Sequence, residues 1–336
     1  MLFLCQNLPY PPDSGVLIRT YHVLRILSRE FSVRALCFYR AADRPDGEQV
    51  RASVAALGRL AEVEAFAIPQ EHSRARFVFD HLRSVARGRA YTAFAYASRA
   101  FRLRLREVLA EERFDLVHVD SLDLAGYLPE LRGLPVVCVH HNVESALLRR
   151  RAAQHHNPLV RGYLRLQARL VEREERAWGG RVALNVTVSP DDRAELERLV
   201  GGGRWAVVPN GVDTRAFHPS PGGGDVVFMG GSNWFPNTEA MLWFCGRVLP
   251  LLREAGVDAP VRWIGRATDE LRERFRRDFG VDVTGYVPDV RPYFERAGCV
   301  IVPLRSGGGT RLKILDAWGA GKAVVSTSLG CEGLDA

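Results

Sequence analysis

The chain has 336 residues, 47% of them hydrophobic and 25% charged, with a formal net charge of +7. This is the composition of a folded protein too long for one ordinary core and suited to two α/β domains. No apolar run reaches the roughly 18 residues that a membrane-spanning helix needs. The opening Met1-Leu2-Phe3-Leu4-Cys5 is apolar but has no basic leader and meets Pro9, Pro11 and Pro12 at once, so it reads as a first strand and not a signal peptide. The six cysteines, at 5, 37, 138, 245, 299 and 331, form no C-x-x-C pair, which disfavours a zinc or redox site. Cys5, Cys37, Cys138 and Cys299 lie in or beside apolar runs and read as small buried hydrophobes in a reducing, cytoplasmic compartment.

In chain order, short apolar runs alternate with helical patterns, the signature of parallel sheets with crossover helices. The predicted strands of the first half are 2–5, 33–38, 63–68, 116–119, 136–139 and 182–188. Several are apolar throughout, as strands covered on both faces are. Helices are predicted at 15–29, where Leu17, Tyr21, Leu24 and Leu27 share a face, and at 98–112, 144–153, 159–178 and 190–200. Gly201, Gly202 and Gly203 end this half, and a Gly/Pro-rich stretch to 224 reads as an interdomain connection, giving domains 1–203 and 204–336. The second series has strands at 226–229, 261–264, 281–284, 299–302 and 323–326. Its helices are at 237–252, 269–279, 290–296 and 311–320. It ends after a strand, where a parallel α/β domain ordinarily adds a covering helix, so the C-terminal domain is expected to be incomplete.

The positive excess is arginine, interleaved with glutamate along helices. Nucleic acid, an anionic membrane surface, phosphorylated substrates and plain arginine enrichment all remain open as its cause. No basic tail or nucleic-acid motif is present, so a nucleic-acid partner is not expected. The strongest local signal is Gly307-Gly308-Gly309-Thr310-Arg311-Leu312-Lys313, between a buried strand and a helix, with Asp316 about a turn further on. Glycines let the backbone approach a ligand closely, and Thr310 is a candidate N-cap. Open N–H groups at a helix start bind phosphate, Arg311 and Lys313 add cations, and Asp316 could reach a ribose diol. A plain turn before a core helix is the alternative.

Three further stretches follow strands. Pro9 to Gly15 precedes the first helix at the carboxyl edge of the sheet, where Gly15 could set its N–H against a phosphate or sugar. His140-His141-Asn142-Val143-Glu144 offers imidazoles that could orient a sugar or meet developing charge, or could simply start a helix. Gly230-Gly231-Ser232-Asn233-Trp234-Phe235-Pro236-Asn237 opens the second domain, with Asn237 as a candidate cap. Gly231 and Arg266 join the candidate ligand-binding residues. There is no G-x-G-x-x-G to suggest a dinucleotide, no H-E-x-x-H, and no Asp-x-Asp to suggest a metal.

Together, residues 9–15, Phe114-Asp115-Leu116-Val117-His118, His141-Asn142-Val143-Glu144-Ser145, 209–213, 234–237, Gly285-Tyr286-Val287-Pro288-Asp289-Val290 and 307–316 resemble family 4 of the retaining glycosyltransferases. The similarity is strongest to a subgroup linked to exopolysaccharide and exosortase-associated clusters. It implies the glycosyltransferase-B fold, two Rossmann-like domains facing across a cleft, with the acceptor on the N-terminal domain and the nucleotide sugar on the C-terminal one. It implies that Arg311 and Lys313 hold the donor diphosphate together with Gly307, Gly308, Gly309 and Thr310, that Asp316 takes the place of a ribose-binding glutamate, and that His141, with His140, Asn142 and Glu144, lies near the reacting sugar. Transfer would proceed with retention and without a metal or other cofactor, to a saccharide or lipid-linked acceptor. The charge excess would allow peripheral contact with the inner face of the membrane. The sequence departs from the family pattern where Gly308 stands in the first position of Glu-x7-Glu and Asp316 in the second, and where Trp318-Gly319 follows. A nucleotide-sugar epimerase and a truncated, non-catalytic nucleotide-sugar binder are the competing readings.

Overall fold

The computed structural model describes residues 1–41 and 46–334. It divides into two compact units, Met1–Pro209 and the segment from Asn210 on. In the first, β1 (Leu2–Cys5) leads to α1 (Gly15–Leu27), β2 (Arg34–Tyr39) to α2 (Gly47–Leu57), and β3 (Glu62–Ala67) to α3 (Arg74–Arg87), α4 (Thr92–Ala95) and α5 (Arg99–Glu111). Next come β4 (Val117–Val119), a 3-10 stretch (Leu122–Leu131), β5 (Val136–His140), α6 (Glu144–Gln154), α7 (Pro158–Gly179), β6 (Leu184–Thr187), α8 (Pro190–Val200) and β7 (Trp205–Val207). The described strands form one parallel sheet in the order β3-β2-β1-β4-β5-β6-β7.

The continuous apolar runs of β1 and of residues 35–38 in β2 follow from burial on both faces. Leu2 and Leu4 join Leu36, Phe38, Phe101 and Leu105 in one core, while Phe3 and Cys5 join Ala35, Cys37, Leu24 and Leu57 in the other. Side-chain oxygens cap the helices where capping residues stand in the sequence: Ser98 accepts from Phe101 N–H, Ser189 from Asp192 N–H, and Asn157 from Leu159 N–H.

The second unit runs β8 (Asp225–Met229), α9 (Phe235–Trp243), a π turn (Phe244–Val248), α10 (Leu249–Glu254), β9 (Val261–Ile264), α11 (Asp269–Phe279), β10 (Asp282–Val283), α12 (Arg291–Arg296), β11 (Ala297–Val302), α13 (Leu312–Gly319) and β12 (Ala323–Ser326). Its described strands are also parallel, in the order β10-β9-β8-β11-β12. Trp263 is fully buried between Phe228 and Phe275, with ring centroids 5.9 and 5.0 Å away.

Three expectations change. The boundary moves from 203/204 to 209/210, because Trp205–Val207 pairs with β6 and belongs to the first sheet. Helix α13 begins at Leu312 with Arg311 in the N-cap position, so Thr310 is not the cap. Helix α9 begins at Phe235 with Trp234 in the N-cap position, and Asn237 is buried inside its first turn. Helices α2 and α3 had no sequence prediction.

Candidate functional site

In an open parallel sheet, ligands settle at the carboxyl ends of the strands where the strand order reverses. In the first sheet that point lies between β1 and β4, and the chain places a charged cluster there. Asp120 directly follows β4, and its buried carboxylate faces four side chains. Thr20 of α1 donates its hydroxyl to Asp120 Oδ2 at 2.6 Å, and the Cys5 thiol lies 3.7 Å from the same oxygen. His141 Nε2, just past β5, is 3.4 Å from Oδ2, and His118 Nε2 is 3.6 Å from Oδ1. Burial pushes the Asp120 pKa upward. His141 and His118 outweigh it and hold the group well below the usual carboxylate range. Burial likewise works against a charged His141, but Asp120 more than compensates and raises its pKa. Each group therefore favours the charged form of the other, a carboxylate facing an imidazolium. Arg19, one residue before Thr20, donates to the Val208 carbonyl at 2.7 Å.

His141, Asn142 and Glu144 are brought together. They border a recess of about 30 Å3 that Ser121, Asp123 and Glu175 also line, with room for one or two water-sized groups. Asn142 donates to Glu144 Oε1 at 2.9 Å. Burial, then the nearby Glu144, pushes Asp123 up to about 7. Glu175 accepts from Ser145 N–H through Oε1 at 3.1 Å, while its buried Oε2 has no hydrogen-bond partner among the described residues. Such a lining suits a hydrogen-bond donor such as a sugar hydroxyl.

His140 lines the same recess, with its ring nitrogen engaged elsewhere. As the last residue of β5 it is buried, with Nε2 2.9 Å from Asn185 Oδ1 and its ring 5.8 Å from Trp205, and burial pushes its pKa down to about 4. Its Nε2 is thereby engaged in the core. Gly15 is exposed at the start of α1, the helix that carries Arg19 and Thr20.

In the second sheet the order reverses between β8 and β11, and the loops leaving these two strands hold most of the remaining candidates. Gly230 has φ +151, and a Cβ there would meet Asn237 at 2.5 Å. Asn237 donates to the Gly231 carbonyl at 2.9 Å and accepts from Lys313 Nζ at 3.0 Å, joining both loops. The Lys313 ammonium also sits 4.5 Å from the centroid of Phe228. Burial, with help from Arg311, pushes its pKa down to about 7. Burial alone pushes Asp316 up to about 7. Arg311 is only 5% exposed and does not extend as an open clamp. It turns back on its own loop, donating to the carbonyls of Gly308 and, at 2.7 Å, Gly309, with its guanidinium 5.7 Å from the Trp234 centroid. The Thr310 hydroxyl is buried with no hydrogen-bond partner among the described residues. Gly307 is buried, whereas Gly308 and Gly309 are half-buried. Arg266 stacks on Tyr286 at 4.8 Å, and its carbonyl accepts from Ser232 N–H at 2.7 Å, so the loop after β9 borders the same glycines.

Sequence reasoning passed over Asp120, Thr20 and Arg19, and also Glu239, whose Oε2 accepts from the Ser306 hydroxyl at 2.7 Å. Asp120 carried a signal, a lone carboxylate at the end of an apolar strand. Gly307 has φ +110, and a Cβ there would lie 2.8 Å from Trp234 Cη2. Gly307→Ala is therefore expected to lower stability by ~1–3 kcal/mol, read as a drop in the thermal unfolding midpoint. An unchanged midpoint would show that the loop relaxes freely.

Two parallel α/β units with charged or glycine-rich loops at both strand-order reversals define a two-domain Rossmann-like protein. The family description Glycosyltransferase Family 4 matches residues 48–216, just over half of the chain, and Glycosyl transferases group 1 matches 223–335. The chain belongs to glycosyltransferase family 4. Solved structures with the same glycosyltransferase-B fold include Anabaena HepE in complex with UDP-glucose, at 16% identity, TM-score 0.57, covering 97% of this chain and 79% of that one. A glycosyltransferase from Rickettsia africae is similar at 11% identity and TM-score 0.59, covering 98% and 79%. A curated relative, an "uncharacterized 44.6 kDa protein in cps region" of Klebsiella pneumoniae, is 25% identical over 117 residues, a match spanning 32% of this chain and 30% of the relative's length.

Proposed function

We propose that this protein transfers a sugar from a nucleoside-diphosphate donor to an acceptor hydroxyl with retention of configuration, in cell-surface or exopolysaccharide synthesis. The donor pyrophosphate lies on the glycine loop and α13, the ribose on Asp316, and the acceptor on the first unit beside His141, Asn142 and Glu144. The observation that carries this reading is the Lys313–Asn237–Gly231 junction at the reversal of the second sheet. There a buried ammonium, glycine loops on either side and the Arg311 guanidinium converge. The UDP-glucose in the HepE structure supports the donor class.

As the bond between the anomeric carbon and the β-phosphate oxygen breaks, its electron pair passes to the phosphate. Lys313 and Arg311, the latter drawn from its loop carbonyls to the phosphate, stabilise that charge. The acceptor hydroxyl attacks on the face the phosphate leaves and gives its proton to the departing oxygen. The His141 imidazolium, held charged by Asp120, donates to the sugar. These cations supply the stabilisation that a divalent ion supplies elsewhere, so no metal or other cofactor is invoked. The acceptor is a saccharide or a lipid-linked saccharide, and the protein works on the cytoplasmic side of the membrane, in peripheral contact with its inner face. No helix among the described residues is long and apolar enough to cross it.

The test is a panel of nucleotide sugars read by thermal shift at pH 6 and pH 8, followed by transfer assays. With Lys313 titrating near 7, its cation is mostly present at pH 6 and mostly absent at pH 8. UDP affinity is expected to fall about tenfold across that interval, and Lys313→Met should weaken binding and remove the Lys313 part of the slope. No shift with any nucleotide sugar would reject the donor site. An epimerised sugar without transfer, or binding without turnover, would reject the transferase reading.

A further inference from the structure

Helix α3 is folded inside out. Its fully buried side chains are Asp80 and Ser84, both polar, while Phe77, Val78, Phe79, Leu82 and Val85 face solvent, Leu82 at 65% exposure. The inward face is held by polar bonds. Asp80 Oδ2 accepts from Arg76 Nε at 2.8 Å, and the Ser84 hydroxyl donates to the Arg89 carbonyl at 2.6 Å while accepting from Gln167 Nε2 of α7 at 2.8 Å. His81 meets Tyr163 of α7. One turn before Tyr163, Leu159 is 82% exposed beside the partly exposed Val160, which continues the apolar surface onto a second helix. A helix in a globular protein ordinarily turns its apolar stripe inward. Here Val78, Leu82 and Val85, spaced i, i+4 and i+7, form a stripe with Phe79 that the described residues leave uncovered, and a contiguous apolar patch of this kind marks an interaction surface.

The charges around the stripe decide its occupant. Helix α3 carries four arginines, Arg74, Arg76, Arg83 and Arg87, against the single acid Asp80, which is buried and paired with Arg76. Arg74 and Arg87 at its two ends are exposed, as is Arg165 on α7. An apolar stripe on a helix with exposed arginines at both ends matches the boundary of a bilayer, where the apolar side chains enter the acyl region and the guanidiniums meet anionic headgroups.

We propose that α3, together with the first turn of α7, is the surface by which this protein docks on an anionic lipid bilayer. This extends the membrane contact proposed above by giving it a site, and it stands apart from the transferase reading because docking needs neither donor nor acceptor. The test is flotation of the full chain with vesicles of phosphatidylcholine alone or mixed with phosphatidylglycerol, with UDP binding by thermal shift measured in parallel. The wild type is expected to float with the mixed vesicles, less so at high salt. Phe79→Ser/Leu82→Ser and Arg74→Glu/Arg87→Glu are each expected to weaken that binding by about tenfold or more, with UDP binding unchanged. Because these side chains are exposed, the variants should keep the wild-type circular dichroism. Absent flotation of the wild type overturns the proposal, as does undiminished flotation of the serine variant. A concentration-dependent dimer that Phe79→Ser/Leu82→Ser abolishes, without vesicle binding, would assign the stripe to a second copy instead. Loss of UDP binding alongside intact flotation would count against the donor site and leave the docking surface standing.

Discussion

Replacing Arg311 by alanine is expected to lower turnover by about 10^2–10^3-fold, the effect of removing one donor aimed at developing charge. The side chain sits at the junction of the glycine loop and α13, and Nη1 donates to the carbonyls of Gly308 and Gly309. Two consequences should separate in measurement. Loss of the cation lowers kcat, because leaving-group charge is greater in the transition state than in the ground state. Loss of the carbonyl contacts loosens the loop and raises KM for the donor. Arg311→Lys, which keeps the charge but not the forked geometry, should recover part of kcat and little of the loop order. A thermal unfolding midpoint near wild type in both variants would confirm that the loss is not one of folding. Near-normal turnover in Arg311→Ala would remove this residue from the chemistry.

Asp120→Asn should change both the stability and the pH profile of the first unit. Asp120 is buried and faces His141, His118 and Thr20, so the substitution keeps the shape and the Thr20 hydroxyl bond but removes the charge that holds His141 protonated. Breaking a buried pair from one side costs ~3 kcal/mol. The sign follows from the two shifts. The Asp120 pKa is depressed, so its contribution is present above the ordinary 3.8 and is lost as pH falls through the lower folded value. The His141 pKa is raised, so its contribution is complete below the ordinary 6.5 and is lost as pH rises through the higher folded value. Stability from the pair is therefore greatest between about pH 4 and 6.5, and denaturant titrations of Asp120→Asn should show both limbs flattened. The His141 imidazole, followed by NMR, should titrate at lower pH in the variant than in the wild type. An unmoved His141 would mean that the pair is not coupled.

The parallel α/β character of both halves was legible from the alternation of buried strands with helical patterns, because a strand covered on both faces must be apolar throughout. Phe3 and Cys5 enter one core while Leu2 and Leu4 enter the other. The glycine loop and its cations were legible too, since a positive φ at Gly307 demands that residue type and a charge next to a helix start is conspicuous in the chain. Helix α3 was not legible as a core element, because its inward face is Asp80 and Ser84, the reverse of the pattern that a periodicity reading seeks. The boundary at 209 was hidden because Trp205–Val207 stands next to turn residues and joins its sheet only through pairing with β6.

The order of apolar and polar residues by itself determined the strands and most of the helices, and the motif residues at the strand ends carried the resemblance to the family, since each depends on neighbours in the chain. Tertiary structure gave the two adjacent histidines different partners. It sent His140 to Asn185 and Trp205 and set His141 against an Asp120 that lies 21 positions earlier. It likewise turned Arg311 onto its own loop and buried Lys313 between Asn237 and Phe228. Charge state and orientation depend on burial and on partners brought from distant strands, which local sequence does not encode.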